Sequence, residues 1–447
     1  MSGRRSFVIV GGGASGVLLA AQLLKSDDPA LRVTVVERSD GFGHGLAYSS
    51  TLDEHLLNVG ARGMSAFPDE PDHFWRWLRK HGLADDSETP FFAPRRLYGD
   101  YLRKIIVGMA EREPVRLRLL HGLATSLSPT ASGVEVQLAN GTSLIAHAAI
   151  LAAGHDTEPA SEFSFAVKPG SNADAPLPPD APVLILGTGL SMVDAWLALR
   201  HRGHRGPVIA LSRRGLLPAP HRAGKPLRLD SADVPLGTDL SYFVDWFRDL
   251  VRAHQKAGGD WRDVVDGIRP FNQRIWQSWP AGARRRFLEH TKAWWDIHRH
   301  RMAPQIHSRL SAALESGELK LLAGRLHEAR QTPDGFVAQV QLRHQPTIER
   351  ITVARIYDCT GIVKDVASGS IAIVRSLTER GLARVDPLRI GLDVTVNCAV
   401  VDAAGAASDK IYAIGPLTRG TFFEIDAVPD IRVQAAHLAA RLTGTAT

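Results

Sequence analysis

The sequence has very little cysteine. Among its 447 residues only Cys359 and Cys398 occur, and they stand far apart in the chain. Two distant cysteines cannot build the disulfide framework of a small secreted domain, and they fit a reducing compartment. A closely spaced pair of cysteines is also absent, which excludes a dithiol redox centre of the Cys-x-x-Cys kind.

Long apolar runs and nucleic-acid motifs are absent as well. No uninterrupted apolar stretch of the sequence is long enough to span a membrane. Arg4 and Arg5 precede a short apolar run, as in a secretory signal, but that run has another explanation below, so we expect a cytoplasmic protein. The formal charge of +6 comes from scattered lysine and arginine. A basic balance alone does not establish nucleic-acid binding, and we expect neither a nucleic-acid nor a membrane partner.

A glycine-rich turn near the start organises the chain. The apolar residues 7–10 predict a buried parallel strand that runs into G-x-G-x-x-G and then a buried helix. Such a turn brings backbone N–H groups and a helix N-terminus against a pyrophosphate. The next apolar strand ends at Glu37, where a Rossmann site places the acid that binds ribose hydroxyls, and this argues against a glycine-rich unit without a ligand. The candidate cofactor contacts are Gly11, Gly13, Ala14, Ser15, Gly16, Glu37 and Arg38.

The same pattern returns in the second half of the chain. A strand, a glycine turn, a helix and a second strand follow one another over residues 182–212. Met192 replaces the third glycine of the motif. Arg213 and Arg214 follow the second strand in place of an acid, and basic residues there suit the 2′-phosphate of NADP, with two solvated arginines as the alternative. The candidate contacts are Gly187, Gly189, Leu190, Ser191, Arg213 and Arg214.

Each copy continues into a predicted β-meander and a strand that ends in glycine. The first of these strands ends at Gly154, after a hairpin turn at Asn140 and Gly141, and the second ends at Gly361. Two copies imply two bound dinucleotides in one polypeptide. Glu37 suits the unphosphorylated ribose of FAD, whereas the basic end of the second copy suits NADPH.

The predicted fold class is α/β. We expect two dinucleotide-binding, Rossmann-like domains of the three-layer, glutathione-reductase-like kind. Residues 1–172 and 346–447 are predicted to form the FAD-binding domain, and residues 178–345 the NADP-binding domain. The region near residues 155–180 is rich in Pro, Ser, Ala and Asp, which predicts a linker.

The second copy contains a predicted helical insert, at about residues 240–320. It carries Trp246, Trp261, Trp276, Trp279, Trp294 and Trp295 among many cationic side chains. Tryptophan at helical spacing usually packs in a core, so we expect a packing layer, with a substrate pocket as the alternative. His298 and His300 lie two residues apart, the wrong spacing for one face of a helix, so we expect no metal site.

The C-terminal segment has a further anion-facing pattern. An apolar strand ends at Gly415, and Pro429 and Asp430 suit the start of a last helix. The natural partner of this arrangement is the flavin end of the first dinucleotide.

Eight stretches together resemble the bacterial FAD/NAD(P)-binding oxidoreductases, which are related to the flavin-dependent N-hydroxylating and other class B flavin monooxygenases. They are residues 11–16, 45–48, 55–59, 64–66, 95–102, 187–192, 212–215 and 411–435. The resemblance implies FAD on the first glycine turn and NADPH on the second. It also implies cofactor contacts at Gly154, Gly361 and Gly415, with Asn58 and Met64 beside the isoalloxazine.

Two features depart from related enzymes. The fingerprint F-x-G-x-x-x-H of Baeyer–Villiger enzymes is absent between the two glycine motifs, which disfavours that reaction. Pro416 follows Gly415 where many flavoenzymes carry an acid that contacts the ribitol.

The resemblance implies an NADPH-dependent FAD monooxygenase in which a flavin hydroperoxide oxygenates a small amine or another small nucleophile, with O₂ as co-substrate. Asn58 is the candidate catalytic contact to the flavin. Glu424 and Asp426 are candidates for holding a cationic substrate, with solvated loop acids as the alternative. Two other functions stay open: a flavin reductase or dehydrogenase without oxygen insertion, and a non-catalytic FAD/NADP-binding regulatory protein. The oligomeric state is open, a homo-oligomer included.

Overall fold

A computed structural model describes residues 5–39, 41–85, 90–156, 163–171, 174–361 and 365–445. Arg4 and parts of the predicted linker, residues 157–162 and 172–173, lie outside this range. The strands are β1 (Ser6–Val10), β2 (Arg32–Glu37), β3 (Leu117–His121), β4 (Ala124–Pro129), β5 (Val134–Leu138), β6 (Ser143–Ala146), β7 (Ala148–Leu151), β8 (Val183–Leu186), β9 (Val208–Ser212), β10 (Leu319–Thr332), β11 (Gly335–Leu342), β12 (Ile348–Val353), β13 (Arg355–Asp358), β14 (Ala399–Val401) and β15 (Ala407–Ala413).

The helices lie between or after these strands, and those over residues 240–315 follow one another in one long run. They are α1 (Ala14–Leu24), α2 (His73–Lys80), α3 (Arg95–Arg112), α4 (Leu190–His201), α5 (Leu240–Lys256), α6 (Trp261–Gly267), α7 (Asn272–Ser278), α8 (Ala281–Arg286), α9 (Lys292–Arg299), α10 (Pro304–Glu315), α11 (Ala372–Glu379) and α12 (Val428–Thr443). A π-helical turn, Phe287–Thr291, joins α8 to α9. None of the described helices is long and apolar enough to cross a membrane.

The first sheet has the order β14-β15-β7-β1-β2-β3. All neighbours are parallel except β14 and β15, so the carboxyl ends of β15, β7, β1 and β2 meet at one edge. Side chains of β1 alternate between two cores: Phe7 and Ile9 pack under α1, α3 and α12, whereas Val8 and Val10 pack under α11 and the separate sheet β4-β5-β6. Burial on both faces explains why this strand is apolar throughout.

The second sheet repeats this design, with the order β12-β11-β10-β9-β8-β13. Val183 and Ile185 of β8 face α4 and α10, and Leu184 and Leu186 face β11 and β12. One difference lies in the meander. β10 runs without a break, pairing in parallel with β9 over its first half and antiparallel with β11 over its second half. The predicted three-layer fold with two Rossmann-like units is confirmed.

The predicted domain boundaries need correction. β12 and β13 belong to the second sheet, so the second unit extends to Asp358 and the chain rejoins the first unit after residue 361, not at residue 346. Residues 163–171 also belong with the second unit, because Val167 bridges to Tyr357 and Phe165 packs on the second sheet. Hydrogen bonding across the sheet, which a composition shift does not report, sets these limits.

The helical insert is confirmed but its limits move. Its core runs from Val234 to Phe287 and buries Trp276 and Trp279, which supports the packing-layer interpretation. α10 is not part of it, because Ile306, Leu310 and Ala313 pack with β8 and α4 in the core of the second unit. The insert therefore ends near residue 302.

Candidate functional site

Two glycines of the first turn, Gly11 and Gly16, have no room for a side chain. Gly11 has a φ of 113°, and a Cβ there would lie 2.3 Å from the carbonyl oxygen of Ala152 at the end of β7. A Cβ at Gly16 would lie 1.9 Å from the carbonyl oxygen of Gly11. Two of the predicted glycines are thus required by strand–strand and helix–strand contact.

Glu37 is fixed at this turn. It is 8% exposed, and its carboxylate accepts hydrogen bonds from Gly12 N (2.7 Å) and from Ser39 N and Oγ (2.9 and 2.8 Å). Ser15 is buried in the first turn of α1, whereas Arg38 is exposed. The acid therefore lies at the carboxyl end of β2, oriented by the glycine loop, as a ribose-binding carboxylate requires.

The C-terminal strand returns to the same turn. Gly415, just beyond β15, stands so close to α1 that a Cβ would lie 2.3 Å from Ser15 Oγ. Its N–H donates to Gln434 Oε1 of α12 at 2.7 Å. Gly154, at the end of β7, has open space on its Cβ side. The predicted contacts Gly11, Ser15, Gly154 and Gly415 thus lie at neighbouring strand ends of one sheet.

The second glycine turn has the same backbone as the first. Gly187 has a φ of 102°, and a Cβ there would lie 2.2 Å from the carbonyl oxygen of Cys359. Met192, in place of the third glycine, is fully buried in the core under α4. Gly189 and Ser191 are exposed, and Leu190 packs against that core. Within the part of the chain that the structure describes, no atom beyond the adjoining residues lies within 4 Å of the Cβ positions of Gly189 and Gly361.

The strand ends of the two units differ in charge. Ser212 stands where the first unit has Glu37, and its hydroxyl lies 2.9 Å from Thr188 Oγ1. Arg213 is exposed beside it. Arg214 instead reaches the insert, donating from Nη2 to the carbonyl oxygen of His290 in the π-helical turn (3.3 Å). The structure thus leaves Arg213 as the more accessible of the two predicted phosphate contacts.

Asn58 lines a narrow cleft between the two units. Leu190 and Val193 of α4 form the opposite wall. The carbonyl oxygen of Asn58 accepts a hydrogen bond from His221 Nε2 at 2.9 Å. Burial lowers the pKa of His221 to about 4, so the imidazole is a neutral N–H donor near pH 7.

Met64 has a different setting from Asn58. It is 3% exposed and packs in the core under α1 and α3. The next carbonyl, that of Ser65, accepts a hydrogen bond from Arg432 Nη1 at the start of α12 (2.9 Å). Its predicted place beside the isoalloxazine stays a prediction.

The description of Glu424 as a solvated loop acid is wrong. Its side chain is 5% exposed and pairs with Arg299 Nε at 3.1 Å. Burial raises the pKa of Glu424, but Arg299, His300 and a hydrogen bond from Trp295 lower it more, and the net shift is downward. A carboxylate already paired in this way is a poor candidate for holding a cationic substrate. Asp426, by contrast, is exposed, with His155 Nε2 at 3.4 Å.

Both cysteines are buried and isolated from each other. Cys359 packs in the second unit and Cys398 in the first. Burial raises the pKa of the Cys398 thiol to about 12 and that of Cys359 well above its usual range, so both stay protonated near neutral pH. Neither is a reactive thiolate. Among the described residues, no three His, Cys, Asp or Glu side chains gather as a metal site requires.

Sequence reasoning missed several contacts between the units. His221, 163 residues from Asn58, carries no local signal. Arg95 of α3 pairs with Asp194 of α4, with Nη1 and Oδ2 2.8 Å apart. Pairings across such distances follow from the docking of the units and not from any motif.

Comparison with known proteins agrees with this geometry. Residues 8–156 match the family model described as FAD-NAD(P)-binding, which confirms the predicted FAD/NAD(P)-binding domain at the start of the chain. No curated protein matches the sequence.

Solved structures share the whole fold at low sequence identity. The chain is similar to L-lysine 6-monooxygenase from Pseudomonas syringae, with 15% identity over 99% of each chain and a TM-score of 0.65. It is similar to the ornithine N-hydroxylase of Kutzneria sp. 744 with reduced FAD, NADP⁺ and L-ornithine, with 14% identity over 98% of this chain and 99% of that chain and a TM-score of 0.66. It is also similar to thioredoxin reductase from Lactococcus lactis, with 12% identity over 99% of this chain and 100% of that chain and a TM-score of 0.53. At these identities the likeness establishes the fold, which is that of FAD/NAD(P)-dependent oxidoreductases.

Proposed function

We propose that the chain is an NADPH-dependent FAD oxidoreductase that acts as a monooxygenase on a small amine or another small nucleophile. One observation carries the proposal: a single polypeptide contains two glycine turns of the same backbone, one ending at the buried acid Glu37 and the other at Ser212 and Arg213. An acid suits a free ribose, and a hydroxyl next to an arginine suits a phosphorylated one.

The first turn fits FAD. A Cβ at Gly415 would collide with Ser15 Oγ in the first turn of α1, and a Cβ at Gly11 would collide with the carbonyl oxygen of Ala152, so both positions suit glycine. The main chain of residues 11–16 would hold the pyrophosphate, Glu37 the adenosine ribose, and the segment from Gly415 the ribitol end. Bound FAD would supply the electron transfer and the oxygen activation.

The chain's own residues would bind and orient the flavin and the substrate and shield them from solvent. Neutral His221 holds the main chain of Asn58 in place, so the Asn58 side chain is presented from a fixed backbone. One wall of the cleft beside Asn58 is apolar and is formed by residues of α4 and by Met302, Ala303 and Ile306.

The buried thiols favour oxygen chemistry over disulfide chemistry. A disulfide reductase needs a pair of reactive cysteines, and here Cys359 and Cys398 lie in different cores with raised thiol pKa values. The amine substrate class is supported by the lysine- and ornithine-hydroxylating proteins that share the fold. L-ornithine and L-lysine are therefore the first compounds to test.

Anaerobic titration of the purified chain with NADPH and with NADH, followed by air, tests the proposal. We expect NADPH to bleach the flavin absorbance in preference to NADH, and air with an amine present to yield oxygenated product. Rapid reoxidation that gives no oxygenated product with any tested amine or other nucleophile would overturn the monooxygenase assignment.

A flavin reductase without oxygen insertion is the second candidate. The cleft beside Asn58 is narrow and is lined by Glu54, Arg95 and Asp194, which already pair with one another or with His201. Quinone or dye reduction faster than oxygen consumption supports this candidate.

A flavin that NADPH cannot bleach points instead to a regulatory protein. A cytoplasmic location stays a prediction, and the oligomeric state stays open.

A further inference from the structure

The helical insert lies directly on residues 420–424, between β15 and α12. Trp276 Nε1 donates to the carbonyl oxygen of Gly420 (2.9 Å), and Gln273 Nε2 to that of Phe423 (2.5 Å). The rings of Trp276 and Phe423 stack with centroids 4.7 Å apart. The main-chain acceptors are present whatever side chains this segment carries, so they do not select one arrangement of the insert.

The Glu424 side chain does select one arrangement of the insert, because its carboxylate binds side chains of two insert helices. Oε2 accepts from Asn272 Nδ2 of α7 (2.9 Å) and Arg299 Nε of α9 (3.1 Å). Oε1 accepts from Trp295 Nε1 (2.5 Å), and His300 Nε2 lies 3.6 Å away. The side chains of Glu424 and Arg299 are 5% and 8% exposed, so solvent screens the pair little.

The backbone of Glu424 is also held in place. Its φ is 59°, a left-handed conformation that non-glycine residues adopt where the surroundings determine it. The segment that contains it starts at Gly415, against Ser15 of the first glycine turn, and ends at the N-terminus of α12. The carboxylate thus lies between the insert and the chain that leaves the first nucleotide site.

We propose that Glu424 is a positioning residue whose carboxylate locks the insert onto residues 415–428 and so closes the flavin end of the first nucleotide site to solvent. The shielding rests on the proposed function, since that names the ligand as FAD. The lock itself is a property of the chain. Glu424 acts through Arg299, Trp295 and Asn272 and does not contact the substrate.

Hydrogen exchange on the full chain as purified tests the lock. Glu424→Gln keeps the shape, removes the charge and leaves Arg299 unpaired. We expect the amides of residues 287–300 and 418–428 to exchange about 10-fold faster, while those of β1 and β8 do not change. Asp249→Asn is the control: it makes the same charge change in an exposed pair of the insert, with Arg252, and should have no effect. Wild-type exchange in Glu424→Gln overturns the proposal.

A double variant separates a lock from mere stability. Glu424→Gln with Arg299→Met removes both charges, so the global unfolding midpoint should recover toward that of the wild type. We expect the local exchange to stay at least about 5-fold fast, because the network is still missing. If the local amide exchange slows to the wild-type rate together with the recovery of the unfolding midpoint, Glu424 contributes to stability only and the proposed lock is wrong. If Glu424→Gln does not fold, Trp295→Phe removes one donor and should speed local exchange about twofold to fourfold, and no change in it overturns the lock.

Iodide quenching of the bound flavin's fluorescence tests the shielding. We expect the quenching constant to rise about threefold in Glu424→Gln and to stay constant in Asp249→Asn. Faster exchange with unchanged quenching overturns the shielding. A chain that binds no flavin contradicts the proposed function, whereas the exchange experiment still decides the lock.

Discussion

The two glycine turns have one backbone and different side chains. In both units the first glycine has a φ above 100° and donates its N–H to the neighbouring strand, at 2.8 Å in the first unit and 2.7 Å in the second. In both, a Cβ would collide with a carbonyl oxygen of the strand on the other side. The geometry of three adjacent parallel strands imposes this turn, whatever ligand it serves.

The differences begin one helical turn further on. The first unit has Gly16 against its strand, and the second has the buried side chain of Met192. Glu37 accepts a main-chain hydrogen bond from its glycine loop, whereas Ser212 bonds the side chain of Thr188. The comparison teaches that the sheet determines the turn, while single side chains determine helix packing and the charge offered to a ribose.

Gly16→Ala should have the largest effect on stability and on flavin content. The new Cβ would lie 1.9 Å from the carbonyl oxygen of Gly11, so α1 must move away from β1. We expect a loss of about 3 kcal/mol or more in the free energy of unfolding and purification without flavin. Met192→Leu, the volume-conserving change at the matching position, should cost less than about 1.5 kcal/mol. Urea unfolding and the flavin-to-protein absorbance ratio measure both.

Gly189→Ala is the control for that pair, because no atom of the other described residues beyond its chain neighbours lies within 4 Å of its Cβ position. Its stability and flavin content should match those of the wild type. A flavin-loaded Gly16→Ala protein of normal stability would show that the two turns do not differ in helix packing.

Ser212→Glu should remove the charge difference between the units. The carboxylate would repel a 2′-phosphate and accept from a free ribose, so the ratio of kcat/KM for NADPH to that for NADH should fall about 100-fold, or 2.7 kcal/mol. Arg213→Ala should lower the ratio about 10-fold. Arg214→Ala should change it little, since Arg214 bonds the carbonyl oxygen of His290. Steady-state kinetics with both nucleotides test the order, and an equal effect of the two arginines contradicts it.

His221 forms a hydrogen bond between the two units, so we expect the free energy of unfolding to depend on pH. Because burial lowers its pKa from 6.5 to about 4, the unfolded chain binds the proton first, and stability falls as the pH drops from 6.5 toward 4. At pH 5 the expected loss is about 2 kcal/mol. Urea unfolding at pH 7 and pH 5 measures it. His221→Gln should remove that share of the pH dependence, and an unchanged dependence contradicts the assignment.

The smallest effect should come from the ion pair at the edge of the cleft. Arg95 and Asp194 have side chains 24% and 23% exposed, so solvent screens them in part. Asp194→Asn should lower the free energy of unfolding by about 1 kcal/mol or less. A larger loss in urea unfolding would show that this pair, and not the His221 contact, carries the docking of the units.

Prediction from sequence succeeded where the signals are local. The glycine turns, Glu37, the hairpin at Asn140 and Gly141 and the start of α12 all depend on residues close together in the chain. It failed for Glu424, whose partners Asn272 and Arg299 are 152 and 125 residues away. The return to the first unit was placed too early, at residue 346, although the repeat assigned the strand that ends at Gly361 to the second copy. The pairing of β12 and β13 in the second sheet agrees with the repeat and not with that boundary.

The sequence by itself determined the repeated strand–turn–helix unit and its two kinds of strand end, because backbone sterics and the charge of a strand-end side chain depend on neighbouring residues. The tertiary structure alone decided that Arg214 serves the insert, that His221 holds Asn58, and that Glu424 is buried against Arg299. Those facts depend on how distant segments dock. No spacing along the chain records them, because burial and charge pairing arise only when the units come together.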